Sequence, residues 1–206
     1  MINIGVIGYG YWGPNLVRNF AELNDGRVAA VADLSQDRLD LVKRRFPGVK
    51  TTTRFQDLME DPDIDAIAVA TPVGTHFELG MAALKADKHL WLEKPMAETS
   101  LQARQLVAEA EKRNRVLLVY HTFIYTPAVR NMGEIINSGE LGLVFYYDSI
   151  RVNLGLFQRD VSVISDLAVH DFSILAYLLN ERPIAVSASG TNHFPGTPEN
   201  LSLIHI

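Results

Sequence analysis

The chain has 206 residues, 48% hydrophobic and 21% charged, with no cysteine. These values exclude a disordered, collagen-like or disulfide-built protein, and no cysteine nucleophile or thiolate metal site is available. Nineteen basic against 24 acidic residues give a net charge of −5, which argues against a nucleic-acid surface. No basic start leads into an apolar leader, and the apolar runs are too short to span a bilayer. The expectation is a cytoplasmic protein without membrane or nucleic-acid partners.

The elements alternate along the first 120 residues. Residues 2–7 read as a short apolar strand that enters Gly8-Tyr9-Gly10-Tyr11-Trp12-Gly13 and then a helix. Residues 27–33 form a second strand ending in Asp33, and Ser35 is placed to cap a helix over 35–46. Strands follow at 65–70, 88–93 and 116–120, with helices over 75–86 and from Thr99 or Ser100 to about 114. Apolar strands alternating with amphipathic helices predict a doubly wound α/β domain with a parallel sheet over 1–122. The pattern then changes. A helix is expected over 127–138, a long strand over 143–154, a helix over 166–179 and a half-buried strand over 184–192. This predicts a partial α+β domain over 123–200 with an antiparallel sheet. The last six residues, LSLIHI, are also what a transposon-end sequencing adapter encodes in this frame, so 201–206 is expected to be a non-native tail, the alternative being a real edge strand.

Glycines 8, 10 and 13 form G-x-G-x-x-G between a strand and a helix. Gly8 permits the tight turn, Gly10 lets a pyrophosphate approach the backbone, and Gly13 lets the helix pack against the strand. The helix start then faces the phosphates. Tyr11 and Trp12 lie inside the turn. Asp33 follows Gly13 by 20 residues at the end of the second strand, where an acid accepts from ribose hydroxyls. Its charge, beside Leu34, disfavours a 2′-phosphate and so favours NAD over NADP, although Arg38 is near in sequence.

Chemistry is expected beyond the carboxyl ends of the strands. There stand Thr71, Pro72 and His76 on the adenosine side, Glu93-Lys94-Pro95, and His121. Lys94 is suited to donate to a substrate oxygen, and a cis bond to Pro95 would aim it. Asp166 and His170, four residues apart, share a helix face as an oriented general base. Spacing alone reads equally well as a surface lysine, a helix cap and a core histidine. A metal reading of Asp166 and His170 lacks a third ligand of recognisable spacing, so no metal is expected.

GYGYWGPNLVRNF (8–20), ATPVGTH (70–76), EKP (93–95), HTFIYTPAV (121–129) and DLAVHD (166–171) together resemble the Gfo/Idh/MocA family of sugar and cyclitol oxidoreductases. Tyr120, Ile124 and Ala168 depart from residues common in that family. The resemblance implies a Rossmann domain followed by a larger antiparallel sheet that continues past residue 206 and forms a homodimer or homotetramer. It implies Lys94, Asp166 and His170 as catalytic residues, hydride transfer to NAD, and a sugar or sugar-nucleotide substrate. The rival readings are a non-catalytic NAD-binding sensor and an imine or biliverdin-type reductase on the same scaffold.

Overall fold

The computed structural model describes residues 1–151, 161–179, 181–193 and 201–205. The chain divides into two compact units, Met1–Tyr120 and His121–Ile206.

The first unit follows the predicted alternation. It contains β1 (Ile2–Ile7), α1 (Gly13–Ala21), β2 (Gly26–Ala32), α2 (Gln36–Arg45), β3 (Lys50–Thr52), α3 (Gln56–Glu60), β4 (Ala66–Val69), α4 (His76–Lys85), β5 (His89–Leu92), α5 (Ser100–Lys112) and β6 (Leu117–Val119). The six strands run parallel in the order β3-β2-β1-β4-β5-β6. The order reverses between β1 and β4, and such a switch point opens a ligand crevice outside the strands' carboxyl ends.

Alternation along each strand divides the core between the two faces. Val6, Val28, Val31, Ala68 and Trp91 pack with Val17 of α1 and with Leu39 and Val42 of α2. Ile7, Ala32, Ile67, Val69, Leu90 and Leu92 pack with Leu79 and Leu84 of α4 and Leu106 of α5. Both faces are covered, which is why the strands read as nearly continuous apolar runs. The sequence pattern marks no element at β3 or α3. β3 is a three-residue edge strand of polar sequence, Lys-Thr-Thr, too short for its alternation to register.

Helix starts differ in how they are held. Thr99 and Gln102 form the reciprocal capping box at the start of α5, with Gln102 N–H donating to Thr99 Oγ1 at 3.2 Å. Ser35 occupies the cap position of α2, but its side chain makes no cap bond. Instead its backbone N–H donates to Asp33 Oδ1 at 2.8 Å. Lys88, just before β5, is buried, and its Nζ donates to the carbonyl oxygens of Asp61 and Ile64 at 2.8 and 2.7 Å. It therefore ties the loop that leads into β4.

The second unit contains α6 (Pro127–Asn137), a π-helical turn Ile164–Ala168 that runs into α7 (Val169–Leu179), β7 (Ser187–Thr191) and β8 (Leu201–His205). Gly139 takes φ +76° just beyond α6, as the predicted stop requires. β7 and β8 pair antiparallel, Thr191 opposite Leu201. The long strand expected over 143–154 is not formed in its described part: residues 143–151 carry no regular structure. An extended segment needs a neighbour for its row of backbone groups, and no described strand pairs with it. Residues 152–154 lie outside the described set.

No helix among the described residues is long and apolar enough to cross a membrane.

Candidate cofactor and active site

β1 delivers the glycine turn to the crevice. Gly8 has φ +95°, and a side chain there would bring a Cβ to 2.7 Å from the Ala70 carbonyl oxygen. A Cβ on Gly13 would collide with the carbonyl oxygen of Gly8, so α1 can start this close to β1 only at a glycine. Around Gly10 the position is open: the nearest atom to a Cβ would be Arg38 Nη1 at 3.7 Å. Tyr11 and Trp12 stand edge to face at 5.4 Å, both exposed. α1 begins with no side-chain cap and no acid in its first turn, so its positive end is left uncompensated.

Gly13→Ala is therefore expected to cost roughly 1–3 kcal/mol of stability through overpacking. Were the same displacement passed to the bound dinucleotide, affinity would fall roughly 10- to 100-fold. Denaturant unfolding and an NADH fluorescence titration check both. A variant that binds NADH as the wild type does would remove the turn from the site.

Asp33, at the end of β2, is buried. Its Oδ2 accepts from the Tyr9 backbone N–H at 2.7 Å and from Arg38 Nη1 at 3.4 Å, and its Oδ1 accepts from Ser35 N–H. The sequence predicts Asp33 as a ribose acceptor; the structure shows that it anchors the glycine turn. A carboxylate offers about four acceptor positions, so these three donors leave capacity for a hydroxyl. The cradle and this donor set fit a dinucleotide.

β4 and β5 deliver two further turns. Thr71 Oγ1 lies 2.7 Å from Thr75 Oγ1, and Thr75 Oγ1 donates to the Pro72 carbonyl oxygen. His76 is buried, its two ring nitrogens each 2.8 Å from a carbonyl oxygen, those of Pro95 and Thr71. The Lys94–Pro95 peptide is cis. Lys94 is half-buried. Glu93 is 6% exposed, and its Oε1 has no hydrogen-bond partner among the described residues. Burial raises its carboxyl to about 7, against the pull of the Lys94 backbone N–H and ammonium.

The remaining candidates belong to the second unit. His121 precedes a 3₁₀ turn, Thr122–Tyr125. Asp166 lies within the π-helical turn rather than capping a helix, and His170 sits one turn later in α7. The wider turn still leaves residues four apart on one side of the helix. His170 is buried and meets the Phe123 ring edge to face at 4.8 Å. Arg151 covers that ring at 4.5 Å, and its Nε donates to Asp171 Oδ2 at 2.7 Å. Ser149 Oγ also donates to Asp171. Spacing gave no pointer to Phe123 or Arg151 beside the histidine, because these contacts cross from distant segments.

A glycine-cradled, doubly wound sheet with an acid at the end of β2 defines a dinucleotide-binding domain. The family model for the Gfo/Idh/MocA oxidoreductases, described by its NAD-binding Rossmann fold, matches residues 2–121, and the chain belongs to that family. It is 32% identical over 192 residues to inositol 2-dehydrogenase 2 of Saccharopolyspora erythraea, covering 91% of this chain and 56% of that protein. It is 28% identical over 202 residues to myo-inositol 2-dehydrogenase of Thermotoga maritima, covering 92% and 58%. The chain thus spans little more than half the length of these relatives. Two solved structures share its fold. GenD2 from gentamicin A biosynthesis, in complex with NAD, superposes with a TM-score of 0.88 at 23% identity, over 98% of this chain and 61% of that one. An oxidoreductase from Agrobacterium radiobacter, in complex with NAD+, L-tartaric acid and magnesium, gives 0.85 at 22% identity, over 98% and 62%.

Proposed function

We propose that this chain is part of an NAD-dependent dehydrogenase acting on a hydroxyl-bearing carbon of a sugar, sugar nucleotide or cyclitol. The observation that carries the reading is the side-chain-free cradle of Gly8, Gly10 and Gly13 beside the buried Asp33 carboxylate. The inositol dehydrogenases among the relatives favour a polyol substrate.

In this reading Gly8, Gly10, Tyr11, Trp12 and Gly13 hold the pyrophosphate, and Asp33 with Arg38 holds the adenosine ribose. Thr71, Pro72 and His76 shape the adenosine side, while Glu93, Lys94 and His121 serve the nicotinamide side. Bound NAD supplies the hydride acceptor. His170 takes the proton of the substrate hydroxyl, and Asp166 orients the imidazole and favours its charged form. Lys94 donates to the reacting oxygen. The second unit is the start of a substrate-binding and oligomer-forming domain, with a homodimer or homotetramer as the assembly. The cysteine-free sequence suits a reducing compartment, here the cytoplasm.

The test is NAD binding followed by NADH formation across inositols, free sugars and nucleotide-linked sugars. Reduction of NAD with one polyol class supports the reading. No NAD binding refutes it, and tight binding without turnover on the whole panel marks a non-catalytic cofactor-binding protein.

A further inference from the structure

His76 is 1% exposed, and each of its ring nitrogens lies 2.8 Å from a carbonyl oxygen, Nδ1 from that of Pro95 and Nε2 from that of Thr71. A carbonyl oxygen only accepts, and a neutral imidazole has one N–H and one lone pair. Either neutral tautomer would therefore set a nitrogen lone pair against a carbonyl lone pair at hydrogen-bond distance. The imidazolium alone donates at both nitrogens.

We infer that His76 is held as an imidazolium cation that straps the turn after β4 to the turn after β5 and thereby positions Lys94. The strap runs from Thr71, two residues beyond β4, to Pro95, whose nitrogen closes the cis peptide with Lys94. Both turns stand at the carboxyl edge of the sheet, so the cation fixes their separation without occupying the crevice itself. His76 is a positioning residue in this account.

Two effects oppose the charge: burial, and the positive end of α4, which begins at His76. Two charge-assisted bonds to carbonyl oxygens act the other way. The charged side chains on the segments around the ring are Glu78 and Lys85 of α4, Glu93, Lys94 and Glu98 of the turn after β5, and Arg104, Glu109, Glu111 and Lys112 of α5; β4 carries none. Glu98 Oε1 lies 3.5 Å from where a Cβ on Gly74 would stand. Nearest in sequence to the two strapped turns, Glu78 and Glu98, with Glu93 contributing only in part because burial raises its carboxyl to about 7, stand against Lys94.

The protonation state is independent of the proposed chemistry, whereas the effect on turnover rests on Lys94 acting as proposed. Nitrogen-15 NMR of the labelled protein decides the first. With six histidines in the chain, through-bond correlations assign the ring in the wild type, so a variant that fails to fold removes nothing. Two protonated ring nitrogens on His76 at neutral pH are expected. One protonated nitrogen beside one lone-pair nitrogen overturns the inference.

The second arm is His76→Gln, which cannot donate in both directions. It is expected to lower kcat on the order of tenfold, within the up to ~100-fold that a misplaced reacting group costs. The KM for the substrate and the Kd for NAD should stay nearly unchanged, so that the loss falls on kcat. A folded variant with the wild-type kcat, or one whose loss falls on KM and NAD affinity instead, overturns the positioning role. A wild type that binds NAD but turns over no substrate counts against the proposed function, and the NMR result then still decides the strap.

Discussion

Lys94→Ala and His170→Ala are each expected to lower kcat by about 10²–10⁴, the usual contribution of a positioned acid or base, while the Kd for NAD stays nearly unchanged. The asymmetry follows from where the residues stand. The pyrophosphate and ribose contacts proposed above come from the turn after β1 and from Asp33, and neither substitution touches them. Lys94 leaves the end of β5, half-buried and followed by the cis peptide. His170 is buried edge to face against Phe123, over which Arg151 lies, itself bonded to Asp171. That surrounding fixes the ring's orientation, as a base needs before its proton affinity matters. Asp166→Asn should fall between the wild type and His170→Ala, since it removes the charge but keeps the shape. Steady-state kinetics with NADH fluorescence titrations and thermal unfolding of each variant separate chemistry from folding. Unchanged turnover in a folded Lys94 or His170 variant removes that residue from the mechanism.

The parallel sheet was legible because its strands are covered on both faces and so read as apolar runs, and because glycine turns and caps mark the helices between them. Gly8 and Gly13 were legible for a stronger reason: a side chain at either would run into backbone. β3 and α3 escaped because three polar residues at a sheet edge and a single turn of helix carry no period. The strand expected over 143–154 shows the opposite failure. Its β-rich composition describes what the segment suits, but a strand exists only where a neighbour takes its backbone groups. Leu143, Phe145, Tyr146 and Ile150 stand exposed along it. The anchoring role of Asp33 was hidden for a related reason. Its bond to Tyr9 N–H spans 24 residues, and spacing cannot report which backbone donor a carboxylate will meet. The same holds for His76. The sequence places it at a strand end, but only the structure shows two carbonyl oxygens on its two nitrogens.

Glu93 should make the protein less stable as pH rises from about 4.5 to about 7. Burial lifts its carboxyl from 4.5 to about 7, because the charged form is poorly solvated where Oε1 finds no partner among the described residues. The folded state then binds the proton more tightly than the unfolded state, so between those values the native form holds more protons and stability falls with increasing pH. Below about 4.5 both states are protonated and the penalty vanishes; above about 7 it is complete. At roughly 1.4 kcal/mol per pH unit, the full penalty is about 3 kcal/mol. Glu93→Gln keeps the shape and cannot ionise. Between pH 5 and pH 8 the wild type should therefore lose about 2–3 kcal/mol more than the variant. Urea unfolding of both proteins at the two pH values gives the comparison, and the other titrating groups cancel between them. Parallel stability lines would mean that Glu93 finds solvent or a partner when charged, and that its carboxyl is ordinary. A steeper wild-type line would establish that the Glu93 carboxyl at the end of β5 is neutral at weakly acidic pH.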